Sequence, residues 1–317
     1  MSNKYILTLD ASQIKHFDGF CNLAWAYRYR ENLQLSDQKT AAMDSGTLIH
    51  LLLEYYYNSL ATSKDLWFSQ NDAVSKFRQE APWKKSNTIF EDTYIEFLLK
   101  RFFQYVAYWE GRELKPFLVN NIPATELGFS KILYEDSETI FVVEGKIDLV
   151  NIIQENSEER ILAITDHKSQ EREAHYYNFR PQMLTYAWAA RDLGVQYGII
   201  NYFGLQKAYI DKKTFRRDTM RIPSFMLERW EQYMMQVFLK IMKLDQAAPD
   251  IPSEIKYEKR LTSCAGAFET HPCVYTQLCE CSSKEQIENI KNFKFHKIEK
   301  WQPWKIAEKT TEKQAEE

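Results

Sequence analysis

Apolar and polar side chains alternate most regularly in the middle of the chain. Over residues 139–151, Val143, Ile147 and Leu149 alternate with Glu144, Lys146 and Asp148, the period of a half-buried strand. Residues 123–135 and 160–168 also read as strands, the second opening on Ile161-Leu162-Ala163-Ile164 and running into polar residues. Further strands are predicted at 195–203 and 205–211. Helical spacing dominates elsewhere. Residues 10–30 read as one helix, with Ser12 as its cap and Phe17, Phe20, Leu23 and Ala24 at helical intervals. A second helix is predicted to begin after Asp44-Ser45-Gly46 and to carry His50 and Glu54 four residues apart. Polar residues near 61–88 predict a loop-rich or partly helical insert, and 89–110 reads as a long helix. A helix over 179–191 has Pro181 in its first turn, and a long helix is predicted over 222–244. This order predicts an α/β fold in which a central mixed sheet is flanked by helices. It divides the chain into a mostly helical part (1–110), a sheet-bearing core (111–245), a cysteine-bearing segment after Pro249 and Pro252 (246–301), and a charged tail (302–317) expected to be mobile.

Composition narrows the classes. At roughly 150 residues per domain, 317 residues suggest about two domains, with one large α/β domain also open, and 15% aromatics exclude a disordered chain. Lys and Arg number 41 against 44 Asp and Glu, which excludes a polycation but leaves room for a local basic surface. No apolar run approaches ~18 residues, so no membrane span is expected, and Met1-Ser2-Asn3-Lys4 opens no secretory signal. Cys21 stands apart from Cys264, Cys273, Cys279 and Cys281. That layout suits a metal site in a reducing cytoplasm better than a disulfide framework. There is no Gly-x₄-Gly-Lys-Ser/Thr loop, so the chain by itself is no ATP-driven helicase, although a helicase partner stays open.

The candidate chemistry lies at strand ends. Asp166 and Lys168 share one face of their predicted strand, and Asp148 approaches them if the two strands are neighbours. Two carboxylates and an amine suit Mg²⁺ or Mn²⁺, with Lys168 orienting a water or meeting charge on a phosphate. His50 beside the carboxylates would admit Mn²⁺ as well as Mg²⁺. Gln182 and Tyr186 share a helical face and read as a polar wall that positions a phosphate, a base or Lys168. Each of these also has an ordinary reading as surface charge or a hydrogen-bonded side chain. Cys273 and Cys279 have five residues between them, and eight residues separate Cys264 from Cys273. Ordinary zinc fingers are more compact, whereas four thiolates commonly hold an iron-sulfur cluster. Spacing leaves that cluster, zinc and plain buried thiols open, with Cys21 as the fourth ligand of a metal site and Cys281 a spare thiol.

Taken in order, these motifs resemble the RecB-like branch of the PD-(D/E)xK nuclease superfamily, and within it the iron-sulfur members among Cas4-like, AddB-type and phage-type exonucleases. Gly46-Thr-Leu-Ile-His50 resembles the helical Gly-x₃-His element. Glu144-Gly-Lys-Ile-Asp148 is similar to the strand with the first metal-binding Asp, Thr165-Asp166-His-Lys168 to the Asp/Glu-x-Lys element, and Gln182-Met-Leu-Thr-Tyr186 to Gln-x₃-Tyr. The resemblance implies a restriction-endonuclease-like core over 111–245 and a catalytic set of Asp148, Asp166, Lys168, Gln182, Tyr186 and the upstream Glu126. It implies metal ligation by His50, Asp148 and Asp166, and a [4Fe-4S] cluster on Cys21, Cys264, Cys273 and Cys279 that closes the C-terminal cysteine segment onto the N-terminal part. The implied activity is a Mg²⁺- or Mn²⁺-dependent DNA exonuclease acting on single strands or duplex ends, in recombination, repair, phage DNA processing or CRISPR adaptation. Its partners would be DNA and a helicase, recombination or adaptation protein. Loss of a motif residue would instead have pointed to a noncatalytic DNA-binding or assembly subunit. Lys207, Lys212, Lys213, Arg216 and Arg217, with Arg28 and Arg30 among the aromatic rings of 25–30, are expected to line a DNA groove. The same basic run also reads as a solvated hairpin.

Overall fold

The computed structural model describes residues 4–35, 41–63, 65–80, 92–155, 160–170, 181–205, 214–247, 251–260 and 273–298. Lys207, Lys212, Lys213, Cys264 and the tail 302–317 lie outside the described residues. The strands are β1 (Tyr5–Leu9), β2 (Leu33–Leu35), β3 (Lys115–Pro116), β4 (Leu118–Val119), β5 (Ile122–Pro123), β6 (Thr125–Glu135), β7 (Thr139–Glu155), β8 (Arg160–Gln170), β9 (Val195–Gly204), β10 (Phe215–Arg221) and β11 (Phe295–Lys297). The helices are α1 (Ala11–Gly19), α2 (Asn22–Tyr29), α3 (Ala41–Ser63), α4 (Leu66–Glu80), α5 (Asp92–Tyr108), α6 (Pro181–Ala189), α7 (Ser224–Ala247), α8 (Ser253–Lys256), α9 (Thr276–Glu280) and α10 (Lys284–Lys294). None is long and apolar enough to cross a membrane among the described residues.

Two compact units emerge. Unit 1 comprises Met1–Gln38, Phe129–Gly145 and Glu228–Glu317, and unit 2 comprises Lys39–Gly128 and Lys146–Leu227. The long strand β7 passes from one to the other. Within unit 1, β1 pairs in parallel with Thr139–Val143, and Phe141 packs on Phe238 of α7 at 5.1 Å between ring centroids. Within unit 2, β7 pairs antiparallel with β8, β8 parallel with β9, and β9 antiparallel with β10. The fold is therefore the expected mixed α/β arrangement, a mixed sheet flanked by helices.

The core of unit 2 follows from helical spacing. Leu48, Ile49, Leu52, Leu53, Tyr56 and Tyr57 of α3 meet Ile95, Leu98, Leu99, Phe102 and Tyr105 of α5, over Leu149, Ala163, Ile199, Phe203 and Phe215 of the strands. Alternate residues of the same strands face α6. There Gly198 lets the helix come close, because a Cβ at this position would lie 2.6 Å from Met183 Sδ and 3.1 Å from Ile222 Cδ1.

Several expectations are corrected. The single helix over 10–30 is two helices. Asp10 rather than Ser12 caps the first, its carboxylate accepting from Gln13 N at 2.8 Å, and Phe20 and Cys21 leave helical conformation. Helix α3 starts at Ala41, so Gly46 sits inside it. Within 61–88 the partly helical alternative holds, since α4 runs over Leu66–Glu80 with Ala73 and Phe77, four residues apart, buried in the core. The strand expected at 205–211 lies, but for Leu205, outside the described residues, and a strand not expected from the sequence runs over Phe215–Arg221. β7 is buried on both faces, with Glu144 1% and Asp148 7% exposed. Glu144 and Asp148 thus face protein, while Lys146 is part-exposed and the strand's end at 153–155 is exposed.

Candidate active site

Unit 2 gathers three ligand-bearing side chains from three elements. His50 comes from α3, Glu126 from the start of β6, and Asp148 from β7. His50 Nδ1 lies 3.6 Å from both Glu126 Oε1 and Asp148 Oδ2, and the three ligand atoms are all within 4.8 Å of one another. Among the described residues, no other group of three His, Cys, Asp or Glu ligands meets that spacing.

The arrangement is fixed by the residue between the two motif charges on β8. His50 Nε2 donates to the carbonyl oxygen of His167 at 3.0 Å. A carbonyl only accepts, so Nε2 carries a proton and Nδ1 is the nitrogen turned to the carboxylates. The backbone N–H of His167 donates to Asp148 Oδ2 at 2.7 Å. Glu126 stands at φ +46°, a left-handed conformation that costs a non-glycine residue about 1 kcal/mol or more, and its carboxylate pairs with Lys146.

These groups strain one another electrostatically. Burial, together with the charges of Asp166 and Glu126, pushes the Asp148 carboxyl up to about 7 despite His50 and Lys168. Burial works against the His50 imidazolium, but Asp148 and Glu126 outweigh it and push its pKa up to about 9. Glu126 is held below the usual carboxylate range. Burial opposes this, and hydrogen bonds from His50 and Lys146 prevail. Burial, then Glu126, raises Glu54 to about 7. One imidazole nitrogen and two carboxylates that repel each other form a donor set that fits a divalent cation, which takes the place of the Nδ1 proton and offsets the crowded negative charge.

Beside this group lies the polar chain read from the sequence. The register Leu149↔Thr165 sets Asp148 and Asp166 one step further along the same antiparallel pair. Asp166 is buried at 1% exposure, and Lys168 Nζ donates to its Oδ1 at 2.7 Å. Lys168 Nζ also donates to Gln182 Oε1 at 3.0 Å, and Gln182 Nε2 donates to Tyr186 Oη at 2.8 Å. Lysine only donates, so the Gln182 amide has one orientation here. His50, Glu126, Asp148, Asp166, Lys168, Gln182 and Tyr186 thus lie in one unit.

Two contributors escape motif reading. Lys146 neutralises Glu126, and its signal was its place two residues before Asp148 in the alternating strand. His167 holds two of the three ligand side chains through its backbone, a role no side-chain pattern announces. The expected DNA-binding residues that are described fall in both units. Arg28 and Arg30 belong to unit 1, where Arg30 pairs with Asp245. Arg216 and Arg217 belong to unit 2. Arg216 pairs with Asp218 at 2.9 Å and lies over the Tyr202 ring, while Arg217 bonds Asn201 and the Arg112 carbonyl.

The described cysteines fall in unit 1 and are unbridged. Cys21 is buried at the start of α2, and its sulfur accepts from Arg260 N at 3.4 Å. The neighbouring Lys259 donates to the carbonyl of Cys279 at 3.3 Å. The sulfurs of Cys21, Cys273 and Cys279 are not all within 4.8 Å of one another, as ligands of a single ion would be.

Comparison with known proteins places the chain. No curated protein sequence matches it. A protein designated an exonuclease from Eubacterium rectale has a crystal structure that aligns with a TM-score of 0.43 at 11% identity, over 83% of this chain and 88% of its own. LHK-Exo, solved in complex with dAMP, aligns with a TM-score of 0.29 at 9% identity, over 66% of this chain and 100% of its own. The sequence model of the PD-(D/E)XK nuclease superfamily matches residues 9–280, so most of the chain, including every residue of the site just described, lies within it, and the chain belongs to the PD-(D/E)XK nuclease superfamily.

Proposed function

We propose that this chain is a Mg²⁺- or Mn²⁺-dependent deoxyribonuclease, an exonuclease that hydrolyses phosphodiester bonds of single-stranded DNA or duplex ends. The observation that carries the reading is the meeting of His50 Nδ1, Glu126 and Asp148 within 4.8 Å, beside an Asp166–Lys168–Gln182 chain. His50, Asp148 and Asp166, with Glu126, would hold the ion. When bound, a divalent ion supplies a Lewis acid that lowers the pKa of water and draws charge from a phosphate. The protein's own share is positioning. Asp166 and Gln182 hold the Lys168 ammonium in place, where it can orient a nucleophilic water or meet charge developing on a phosphate oxygen. Tyr186 fixes Gln182, and the His167 peptide fixes Asp148 and His50. Recombination, repair, phage DNA processing and CRISPR adaptation are the settings that suit such an enzyme, with a helicase or adaptation protein as partner.

We also propose a structural [4Fe-4S] cluster on Cys21, Cys264, Cys273 and Cys279. Its support is that residues 259–260 bond Cys21 on one side and Cys279 on the other, so two distant thiol-bearing segments share a neighbour. Four thiolates are the usual ligands of such a cluster. The nuclease reading is tested with end-labelled single-stranded and duplex DNA in Mg²⁺, Mn²⁺ or EDTA. Metal-dependent release of short products from the ends supports it. Undiminished cleavage in EDTA contradicts it.

A further inference from the structure

The side chain of His167 turns away from Asp166 and Lys168 and meets the site only through the His50 ring, edge-on at 6.0 Å between centroids. It points to the opposite face of β8 and is buried at 2% exposure. Its register partner on β9 is Asn201, and the partner of Asn201 on β10 is Arg217. The three residues form a lateral row across three adjacent strands, set in the apolar core between the sheet and helices α3 and α5.

Hydrogen-bond chemistry gives this row a single direction. Arg217 only donates, and its Nε–H meets Asn201 Oδ1 at 3.2 Å. The amide nitrogen of Asn201 must therefore face the other way, where it donates to His167 Nδ1 and to Tyr105 Oη, each at 2.9 Å. His167 Nδ1 is then an acceptor, so the ring is neutral with its proton on Nε2. Tyr105 Oη, which accepts from Asn201, bonds Tyr57 Oη at 2.7 Å. The Tyr57 ring lies parallel to His167, 1° between planes and 5.6 Å between centroids. Arg217 is itself fixed by Trp109, whose ring centroid is 3.7 Å from the guanidinium carbon. Every ring and amide in the row thus has one allowed orientation.

We propose that Asn201 and Arg217, acting through the His167 ring, are positioning residues that hold the His167 peptide so that its N–H meets Asp148 and its carbonyl meets His50. This rests on the reading of His50, Glu126 and Asp148 as the metal ligands. A buried polar row in an apolar core is costly unless fully satisfied. Here the Asn201 amide, His167 Nδ1 and both tyrosine hydroxyls are paired, and the row locks the one peptide that bonds two ligand side chains. Partners that orient metal ligands typically change affinity by about 10- to 100-fold when removed.

The test is Mn²⁺ titration by calorimetry on wild type, Asn201→Leu and Asp148→Asn, with melting in EDTA and steady-state cleavage of DNA alongside. The expected result for Asn201→Leu is a Mn²⁺ affinity about 10- to 100-fold weaker, with cleavage recovering as Mn²⁺ is raised and KM for DNA unchanged. A residue that matters for stability alone would lower the melting temperature without moving Mn²⁺ affinity, and that outcome overturns the proposal. If Asp148→Asn abolishes Mn²⁺ binding while folded Asn201→Leu binds as wild type, the row fails and the metal site stands. If wild type binds no Mn²⁺, both fall. Should Asn201→Leu not fold, ¹⁵N NMR of wild type decides. The Nε2–H tautomer of His167 supports the row, and the Nδ1–H tautomer overturns it.

Discussion

Asp148→Asn removes one charge from a crowded, buried group while keeping the side-chain volume and an oxygen for the His167 N–H. The Asp148 carboxyl is raised from 3.8 to about 7, by burial first and then by Asp166 and Glu126. A group whose folded pKa lies above its unfolded value holds its proton where the unfolded chain has already lost it. Its penalty is absent below about pH 4, grows up to about pH 7, and is constant above that. At 1.36 kcal/mol per unit, the ionised carboxylate costs the folded protein at most about 4 kcal/mol. That figure already includes the attraction of His50, but the substitution also removes the charge that raises the His50 pKa, so we expect a gain of about 2 kcal/mol at pH 8 in EDTA, half of that ceiling. For a chain of this size that is a rise of roughly 3 °C in Tm. Saturating Mn²⁺ reverses the order. Wild type gains about 2.7 kcal/mol at a hundredfold excess over Kd, and the variant gains little. Thermal melts at pH 5 and pH 8, each in EDTA and in Mn²⁺, measure all four quantities. A variant that melts below wild type in EDTA at pH 8, or an equal Mn²⁺ shift in both proteins, would refute the reasoning.

Gly198→Ala puts a methyl against the buried Met183 side chain and should push α6 off the sheet. We expect about 1–3 kcal/mol of destabilisation and a fall in kcat as Gln182 loses Lys168, read by melting and kinetics. Gln182→Ala should lower cleavage with Tm nearly unchanged, and a full-rate variant would dismiss its role in holding Lys168. Lys168→Ala should reduce cleavage far more than Mn²⁺ affinity, which calorimetry compares directly. Cys21→Ser should bleach the brown colour of anaerobically purified protein and destabilise it, whereas Cys281→Ser should do neither. About four irons per chain are expected in wild type, and a colourless, iron-free protein would contradict the cluster.

The sheet motifs were legible because strand period and charge coincide in them. Asp148, Asp166 and Lys168 announce themselves at the ends of apolar stretches, and the i,i+4 spacing of Gln182 and Tyr186 places both on one side of α6. What stayed hidden depends on partners distant in sequence. β1 is five residues long, and its parallel pairing with Thr139–Val143 leaves no local trace. The polar positions of β7 suggested a wet face, yet Glu144 and Asp148 are buried because helices and neighbouring strands cover them. The break between α1 and α2 lacks a proline, and Asp10, two residues before Ser12, takes the cap. His167 reads as a spacer between two motif charges. Only the register with Asn201 and Arg217 shows that its ring is held from behind.

The central claim is that His50, Glu126, Asp148, Asp166 and Lys168 form one metal-dependent nuclease site. Cleavage of end-labelled DNA by wild type, Asp148→Ala and Asp166→Ala, each with Mn²⁺ and with EDTA and each alongside a DNA-binding assay, tests it most directly. Wild type should cut only with the metal, and both variants should bind DNA without cutting it. Cleavage by wild type in EDTA, or by either variant at the wild-type rate, would contradict it.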